Sequence, residues 1–588
     1  MHKVTLLCLA SERDLTLQKL GELGAVHLEP ISAGADADLE RSRSVLRDID
    51  RALAFLAEYP VPHAAHAGQT GRPSVTDMGV LITEILALEQ KHQLLEERCE
   101  VISDALEQWQ FFGDFNPATI KTLQAHGIDV ALCHATSRRL MLVPDVAIVR
   151  ILHEEAVGIY YAVIGRDLGQ IANRQEPPEF ALSGMRAQSS AIASEMDTIT
   201  KRIAELAKTT GAIQEYAGEM ASAVDFYNAR AGMGANAAVA YIQGYCPVER
   251  LSALEANART SGWGIVTREP VAGENVPTLV RMPRWVKPIE SMFKLIKIFP
   301  GYREVDVSAS FLLFLSLFFA MIVGDAGYGA IFLVATIFAR IKMPKAPPEP
   351  FRLLAIFSVC TMVWGILTGV YFGLSGLPGL FSPRVQWLTD DTNIMALCIL
   401  IGAIHLSVAH VWNMIRVINS TRAIAQAGWV AITWVIYFAA RSMLLKASMP
   451  GFVLPLGIIG IVAILFFMTP LKLLKAEWVN HAMLPLTLMS NFGDILSYLR
   501  LWALGIAGIQ LADAFNTIVG QIWGAGILGW IGGVLILFLG HGLNLILSAL
   551  SVLVHGIRLN ALEFSMHIGL EWTGFEYKPF VARPIPAE

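Results

Sequence analysis

The chain has 588 residues, 54% of them hydrophobic and only 16% charged, with a formal net charge of −5 at pH 7. That length exceeds one ordinary domain, the positive mean hydropathy is unusual for a soluble protein, and the mildly acidic balance gives no hint of the basic surface that nucleic-acid binding needs. The six cysteines (Cys8, Cys99, Cys133, Cys246, Cys360, Cys398) lie far apart with no Cys-x-x-Cys pair, which argues against a zinc ribbon or disulfide framework and suits a reducing compartment.

The opening run Met1-His2-Lys3-Val4-Thr5-Leu6-Leu7-Cys8 is too short for a signal peptide and reads as a strand, so the N-terminus is expected in the cytosol. A helix ending at Gly24 follows. Two longer stretches step by alternating threes and fours: Ile85, Leu88, His92, Leu95, Cys99, Ile102, Leu106, Trp109, and then Ile192, Met196, Ile199, Ile203, Leu206, Thr210, Ile213, Ala217, Met220, Val224, Tyr227. Sustained 3-4 spacing is the seam of a coiled coil, because it keeps one apolar stripe facing a partner helix. Between the arms, Gly113 to Leu182 carries strand-like runs (Leu140-Met141-Leu142-Val143 and Ile159 to Ile164) and is long enough for a small lobe, about residues 113–184. The first strand and helix are expected to pair with Ala238-Val239-Ala240-Tyr241-Ile242 and the helix from Val248. Residues 1–305 thus read as a cytoplasmic α+β dumbbell, two α/β lobes joined by an antiparallel coiled coil. The alternative is two amphipathic helices in an ordinary bundle; either form makes a long cytoplasmic arm.

After Asp306 hydrophobic stretches succeed one another, and residues 306–588 read as an α-helical membrane domain. Eight spans are expected: Ser308 to Val323, Tyr328 to Ile341, Leu353 to Leu374, Ile394 to Met414, Trp429 to Leu445, Val453 to Leu471, Leu484 to Ile518 and Ile527 to Ile568. With a rise of roughly 1.5 Å per residue and a bilayer core of about 30 Å, the first two are short and the last two too long to cross upright. The last two are therefore tilted, bent or extended beyond the lipid. Arg340, Lys342, Lys345 and Arg352, then Arg416 and Arg422, then Lys472 and Lys475 mark alternate loops as cytoplasmic. Arg384 shares the loop after span three with Asp390 and Asp391, and Arg441 with Lys446 is the discordant pair. An even number of spans returns the tail, Lys578 to Glu588, to the cytoplasmic side.

Span seven contains Arg500 within Ser497-Tyr498-Leu499-Arg500-Leu501-Trp502-Ala503-Leu504. An arginine inside a membrane helix costs a few kcal/mol and is a functional hypothesis by default; it is also a permanent cation. Helical stepping places Ser497, Ala503, Ala507 and Ala514 on its face, small residues that let another backbone come close. In span eight, Asn544, Ser548, Ser551, His555, Arg558 and Ser565 fall near one helical face and make a polar seam. Alternatives stand beside each reading. Arg558 can snorkel to the interface, since Glu563, His567 and Glu571 follow. His555 can be a packing histidine, Asp325 a tight-turn residue in Gly324-Asp325-Ala326-Gly327-Tyr328-Gly329, and Asp494 a charge at a helix start or a proton-path group.

These residues resemble a family. Ser497 to Leu504 is similar to the signature of the a subunit, or subunit I, of V-type and archaeal-type rotary ATPases in its prokaryotic form. So are Gly540-His541-Gly542-Leu543-Asn544, His555-Gly556-Ile557-Arg558-Leu559-Asn560-Ala561-Leu562-Glu563-Phe564, the Gly324–Gly329 hairpin and the Tyr577-Lys578-Pro579-Phe580 ending. The resemblance covers the whole chain. It departs at Ile568-Gly569-Leu570-Glu571-Trp572-Thr573, where the family has a glycine-rich stretch, and at Gly508, where eukaryotic members often carry histidine. It implies a stator subunit past which a ring of carboxylate-bearing proteolipids rotates, with Arg500 and Arg558 handling each carboxylate. Asp494, Ser497, Asn544, Ser548, Ser551, His555 and Glu563 are the candidates for lining two ion half-channels, and Asp325 and His541 are further candidates. The implied partners are the ring, the peripheral-stalk subunits, the other ATPase subunits and membrane lipid. No metal or other cofactor is implied, and no Gly-x-x-x-x-Gly-Lys-Ser/Thr loop occurs, so ATP is expected on other subunits. Short extramembrane loops point to a prokaryotic plasma membrane. A secondary transporter, the rival reading, predicts inverted repeats that the sequence does not display; a passive scaffold leaves the two arginines without a purpose.

Overall fold

The computed structural model describes residues 1–583 apart from 32, 33, 35, 60–74, 137–146, 155–157, 167, 169, 170, 172, 173, 237, 470–474, 476 and 525. The expected strand Leu140 to Val143, Leu471 at the end of span six, Lys472 and the last five residues of the tail therefore lie outside the described residues. Two compact units form: Met1–Glu269 with Pro579–Glu588, and Pro270–Lys578.

The first unit begins with β1 (His2–Leu9), α1 (Arg13–Leu23) and β2 (His27–Glu29), continues through α2 (Ala37–Ala57), α3 (Val75–Trp109) and α4 (Pro117–Ala125), and reaches β3 (Asp129–Ala135), β4 (Ile148–Glu154), β5 (Ile159–Gly165) and β6 (Arg174–Gln175). It returns by α5 (Leu182–Leu206) and α6 (Thr210–Ala231) to β7 (Gly234–Asn236), β8 (Val239–Cys246), α7 (Val248–Ser261) and β9 (Gly264–Arg268). One sheet has the order β2-β8-β1-β9, with β1 antiparallel to β8 from His2 opposite Cys246 to Leu9 opposite Val239. Alternation along β1 turns Val4, Leu6 and Cys8 inward onto Leu17 and Leu20 of α1 and Leu254 and Ala258 of α7. The expected pairing of the first strand and helix with the segment near Ile242 is thus present, in a βαββαβ arrangement whose second and third strands are separated by the helical arm. Burial pushes the Cys246 thiol up to about 11, so it packs rather than reacts. Phe580 N–H donates to Val26 O at 2.8 Å and Ala582 is buried, which makes this stretch of the tail part of the lobe.

The distal sheet has the order β4-β5-β3-β6; Leu132 and Ala162 on one face pack on Trp109, Phe112, Leu182 and Met185. Between the sheets lie two antiparallel helix pairs, α3 with α5 and α2 with α6. Glu84 meets Arg202 at 2.8 Å and Lys91 meets Glu195 at 2.6 Å, numbers rising on one helix as they fall on the other. Ile85, Leu95, Ile192, Ile199, Ile203, Ile213 and Met220 are buried along the seam together with Ile49, Ala52 and Leu56 of α2, a helix the sequence reading did not include. A 3₁₀ turn at Ala207–Thr209 separates α5 from α6, so the second apolar stretch serves two partners in succession. At the arm's base Arg230 reaches Asp36 and Asp38 at 2.6 Å and Asp14 at 3.2 Å.

The second unit contains α8 (Glu290–Ile296), α9 (Ser308–Val323), α10 (Ala326–Lys342), α11 (Pro348–Thr368), α12 (Asp391–Arg416), α13 (Arg422–Leu445), α14 (Val453–Phe467), α15 (Trp478–Ala482), α16 (Leu484–Ser497), α17 (Leu499–Ile522), α18 (Gly526–Ser551) and α19 (Ser565–Ile568). Residues 270–305, which the hydropathy change leaves in the arm, pack here instead: Val286, Ile289 and Phe293 join a core with Phe311, Phe318 and Tyr498. Among the described residues five stretches are long and apolar enough to cross a membrane: Pro348–Thr368, Asp391–Arg416, Arg422–Leu445, Leu484–Ile522 and Gly526–Ile568. Three further expected spans coincide with α9, α10 and α14, of 16, 17 and 15 residues. Span three ends at Thr368 rather than Leu374, because Gly369 adopts φ +73° and closes the helix. The two longest spans are not uniform. The first breaks into α16 and α17 at Tyr498, and the second passes through π-turns at Val552–Gly556 and Leu559–Phe564.

Candidate functional site: a shared carboxylate between two arginines

The break at Tyr498 shapes the surroundings of Arg500. Tyr498 is fully buried, and its hydroxyl lies 2.8 Å from His405 Nδ1. His405 is held between the rings of Phe314 and Phe564, with centroids at 3.7 and 4.3 Å. Helix bonding tightens to three-residue spacing there, Tyr498 N–H to Ile495 O and Leu501 N–H to Tyr498 O. Arg500 Nε then donates to Ser497 O at 2.9 Å, while Nη2 meets Glu563 Oε1 at 2.5 Å.

Arg558 Nε approaches the same Glu563 oxygen at 3.5 Å. In a regular α-helix residues five apart diverge by roughly 140°. The i→i+5 closure of the π-turn brings Arg558 and Glu563 onto one face instead. Side-chain exposure separates the three: 4% for Glu563, 24% for Arg500 and 55% for Arg558. The carboxylate sits behind the arginines, and the arginines face outward. On the open side of α17 Ala503, Ala507 and Ala514 are exposed, the strip of small residues that helical stepping from Arg500 anticipates. Ser497 spends its hydroxyl on Gly493 O at 3.0 Å.

Two strings of polar groups flank this centre. Toward the start of α16, Asp494 Oδ2 lies 3.0 Å from His567 Nε2; His567 Nδ1 lies 3.0 Å from His410 Nε2, and His410 Nδ1 3.1 Å from Gln426 Oε1. Farther along α17, Tyr328 OH lies 2.7 Å from His541 Nδ1, and His541 Nε2 3.1 Å from Asn516 Oδ1. Asn544 donates to the Tyr328 hydroxyl and to Gly508 O at 3.1 and 2.8 Å. Asp325 begins α10 as an N-cap, Oδ1 accepting from Gly327 and Tyr328 N–H, and Oδ2 staples the loop after α11 through Gly373 N–H at 2.7 Å.

The structure thus gathers Arg500, Arg558 and Glu563, places Asp494 in one string, and places His541 and Asn544 in the other. Ser548 is buried on the α17 side near Gly508, whereas Ser551 and His555 are half-buried. The seam does not stay on one face, since each π-turn shifts the helical phase after Val552. His405, His410 and Gln426 have no signal in the sequence, and Tyr498 enters only within the Ser497–Leu504 run, because an isolated polar residue in an apolar helix does not reveal its partner. The departing segment at Ile568–Thr573 is a packing element: Ile568 and Leu570 are buried, and Trp572 Nε1 donates to Ser565 Oγ and Ala561 O. Among the described residues no group of three or more His, Cys, Asp or Glu side chains can hold a metal ion.

The fold and this centre define an α-helical membrane protein with an α+β N-terminal unit and an ion-paired arginine cluster among its apolar helices. No family model matches the chain. It is 29% identical to V-type ATP synthase subunit I 1 of Treponema pallidum, covering 99% of each chain. It is 28% identical to V-type ATP synthase subunit I of Borreliella burgdorferi over 99% of this chain and 98% of that one. A-type ATP synthase subunit I of Methanocaldococcus jannaschii is 26% identical over 70% and 65%. Among solved structures, the match to the cytoplasmic N-terminal domain of subunit I, homolog of subunit a, of V-ATPase covers 46% of this chain and all of that one at 14% identity, with a TM-score of 0.24. Over nearly its whole length the chain is thus similar to V-type ATP synthase subunit I proteins.

Proposed function

We propose that the chain is the membrane stator subunit of a V/A-type rotary ATPase in a prokaryotic plasma membrane, coupling proton or sodium movement to ATP hydrolysis or synthesis. Eight helices cross the bilayer, with α9, α10 and α14 as short spans. The arm is a dumbbell on an antiparallel coiled coil that holds the peripheral stalks on the cytoplasmic side. The hydrogen bond from Phe580 to Val26 supports a tail on the same side as the arm.

The observation that carries this reading is Arg500 beside a bare strip of alanines. A rotating helix can approach such a strip closely, and its carboxylate there meets a cation that favours its ionised form, releasing the ion it carried. Loop charges put the start of α16 toward the cytoplasm. The Asp494–His567–His410–Gln426 string then belongs to the cytoplasmic half-channel, and the Tyr328–His541–Asn544–Asn516 string to the opposite one. Arg500 and Arg558 stand between the two and prevent a direct leak. Purification through a tag on this chain tests the assignment: a proteolipid ring and an ATP-hydrolysing head are expected to copurify, and isolation of the chain without either contradicts it.

A further inference from the structure

We infer that Glu563 is a fixed counter-charge that sets the strength of the arginine site, rather than a group that carries the transported ion; this rests on the reading of Arg500 as the residue that meets the ring carboxylate. Arg500 and Arg558 bring two permanent positive charges to one carboxylate oxygen. Glu563 returns one negative charge, so the three side chains together present a single net positive charge. One arriving ring carboxylate neutralises it. The burial of Glu563 at 4% places it behind the arginines, out of reach of a helix passing over the exposed strip. Asp494, the nearest other acid on α16, has its own partner in His567.

The balance matters in both directions. A site with two uncompensated guanidinium groups grips an ionised carboxylate too firmly and retards its departure, because charge attraction rises steeply where water is scarce. A site with no net charge does not hold the ionised carboxylate long enough to keep the half-channels apart. Carrying the ion requires a group that water can reach and that is free to exchange partners. Glu563 has Oε1 committed to both arginines, and its buried Oε2 meets no partner among the described residues.

The test uses the whole ATPase complex in vesicles, with ATP-driven ion uptake, ATP hydrolysis and assembly measured together. E563Q is expected to slow uptake by about tenfold or more, the loss of one charge from a desolvated site, while E563D, which keeps the charge, stays within about threefold of the wild type. R558Q removes a positive charge and is also slow. The double variant E563Q/R558Q restores the single net charge and is expected to be faster than either single variant, an outcome that a purely structural role or an ion-carrying role for Glu563 does not produce. Should E563Q fail to assemble, the comparison of R558Q with the double variant remains. A double variant that is no faster than R558Q, or does not assemble, overturns the inference. R500A serves as the separate control: uptake persisting in R500A contradicts the assignment of Arg500 itself, whereas a silent R500A with no rescue in the double variant rejects only the role of Glu563.

Discussion

Asp36 acts twice at the base of the arm. Its Oδ1 caps α2 by accepting from Asp38 N–H at 3.0 Å, and the carboxylate binds Arg230 through two bonds of 2.7 and 2.6 Å. Arg230, followed by the capping amides, holds the Asp36 carboxyl below its ordinary value against the opposing effect of burial. A depressed folded-state value contributes stability that is present above the unfolded carboxylate value and is lost as pH falls through the folded one. D36N keeps a good cap and loses the charge; D36A loses both, with about 0.5–2 kcal/mol expected for the cap alone. Both variants are expected to unfold earlier than the wild type at neutral pH. The gap between D36N and wild type should close below the usual carboxylate range. Thermal unfolding of the arm across pH checks this, and a gap independent of pH rules it out. In the second unit the residue scale shows what a sequence conveys: Arg500 stands out by its cost in lipid, but its partner Glu563, 63 positions on, does not. The i→i+5 alignment of Arg558 with Glu563 depends on π-turns that no α-helical period describes.

The elements were legible to different depths. β1, α1, β8 and α7 could be placed because a short alternating strand and a capped helix declare themselves, and the seams of α3, α5 and α6 because apolar spacing repeats. The same spacing in α2, at Leu39, Ser42, Leu46, Ile49, Leu53 and Leu56, was available and would have identified the missing helix. Aspartates at Ile199 and Ile203, buried at 5% and 1%, are expected to open the α3–α5 pair, since unpaired charges on an apolar seam are strongly unfavourable. The expected result is a complex whose ATP hydrolysis no longer drives transport; full coupling in the double variant would refute the seam's role. In α18 and the turns after it, helical phase decides access. Cysteines replacing Ser551 or His555 are expected to react with small water-soluble thiol reagents, after removal of the native cysteines, because a thiolate forms where water reaches it. Cysteines at Ile546, Leu550 or Leu553, exposed apolar positions of the membrane unit, are expected to stay unlabelled. Equal labelling of both sets contradicts a water-filled path along the seam.

At the scale of the whole molecule, the chain divides into an α+β unit and a unit of apolar helices. The boundary read from hydropathy lies near Asp306, whereas packing assigns residues from Pro270 onward to the membrane unit. Hydropathy marks where long apolar spans begin, but Val286, Ile289 and Phe293 pack against them from a stretch of mixed composition with no long apolar run, so composition alone could not locate that seam. The measurement that bears most directly on the central claim is ATP-driven ion uptake by the reconstituted complex carrying Arg500→Ala, read beside assembly on native gels. Arg500 is partly exposed and fills no core, so the variant is expected to assemble with its ring and head and to transport nothing, with Arg500→Lys rescuing poorly because an ammonium can lose its proton in an apolar site. An assembled Arg500→Ala complex that takes up ions at near wild-type rate would contradict the account.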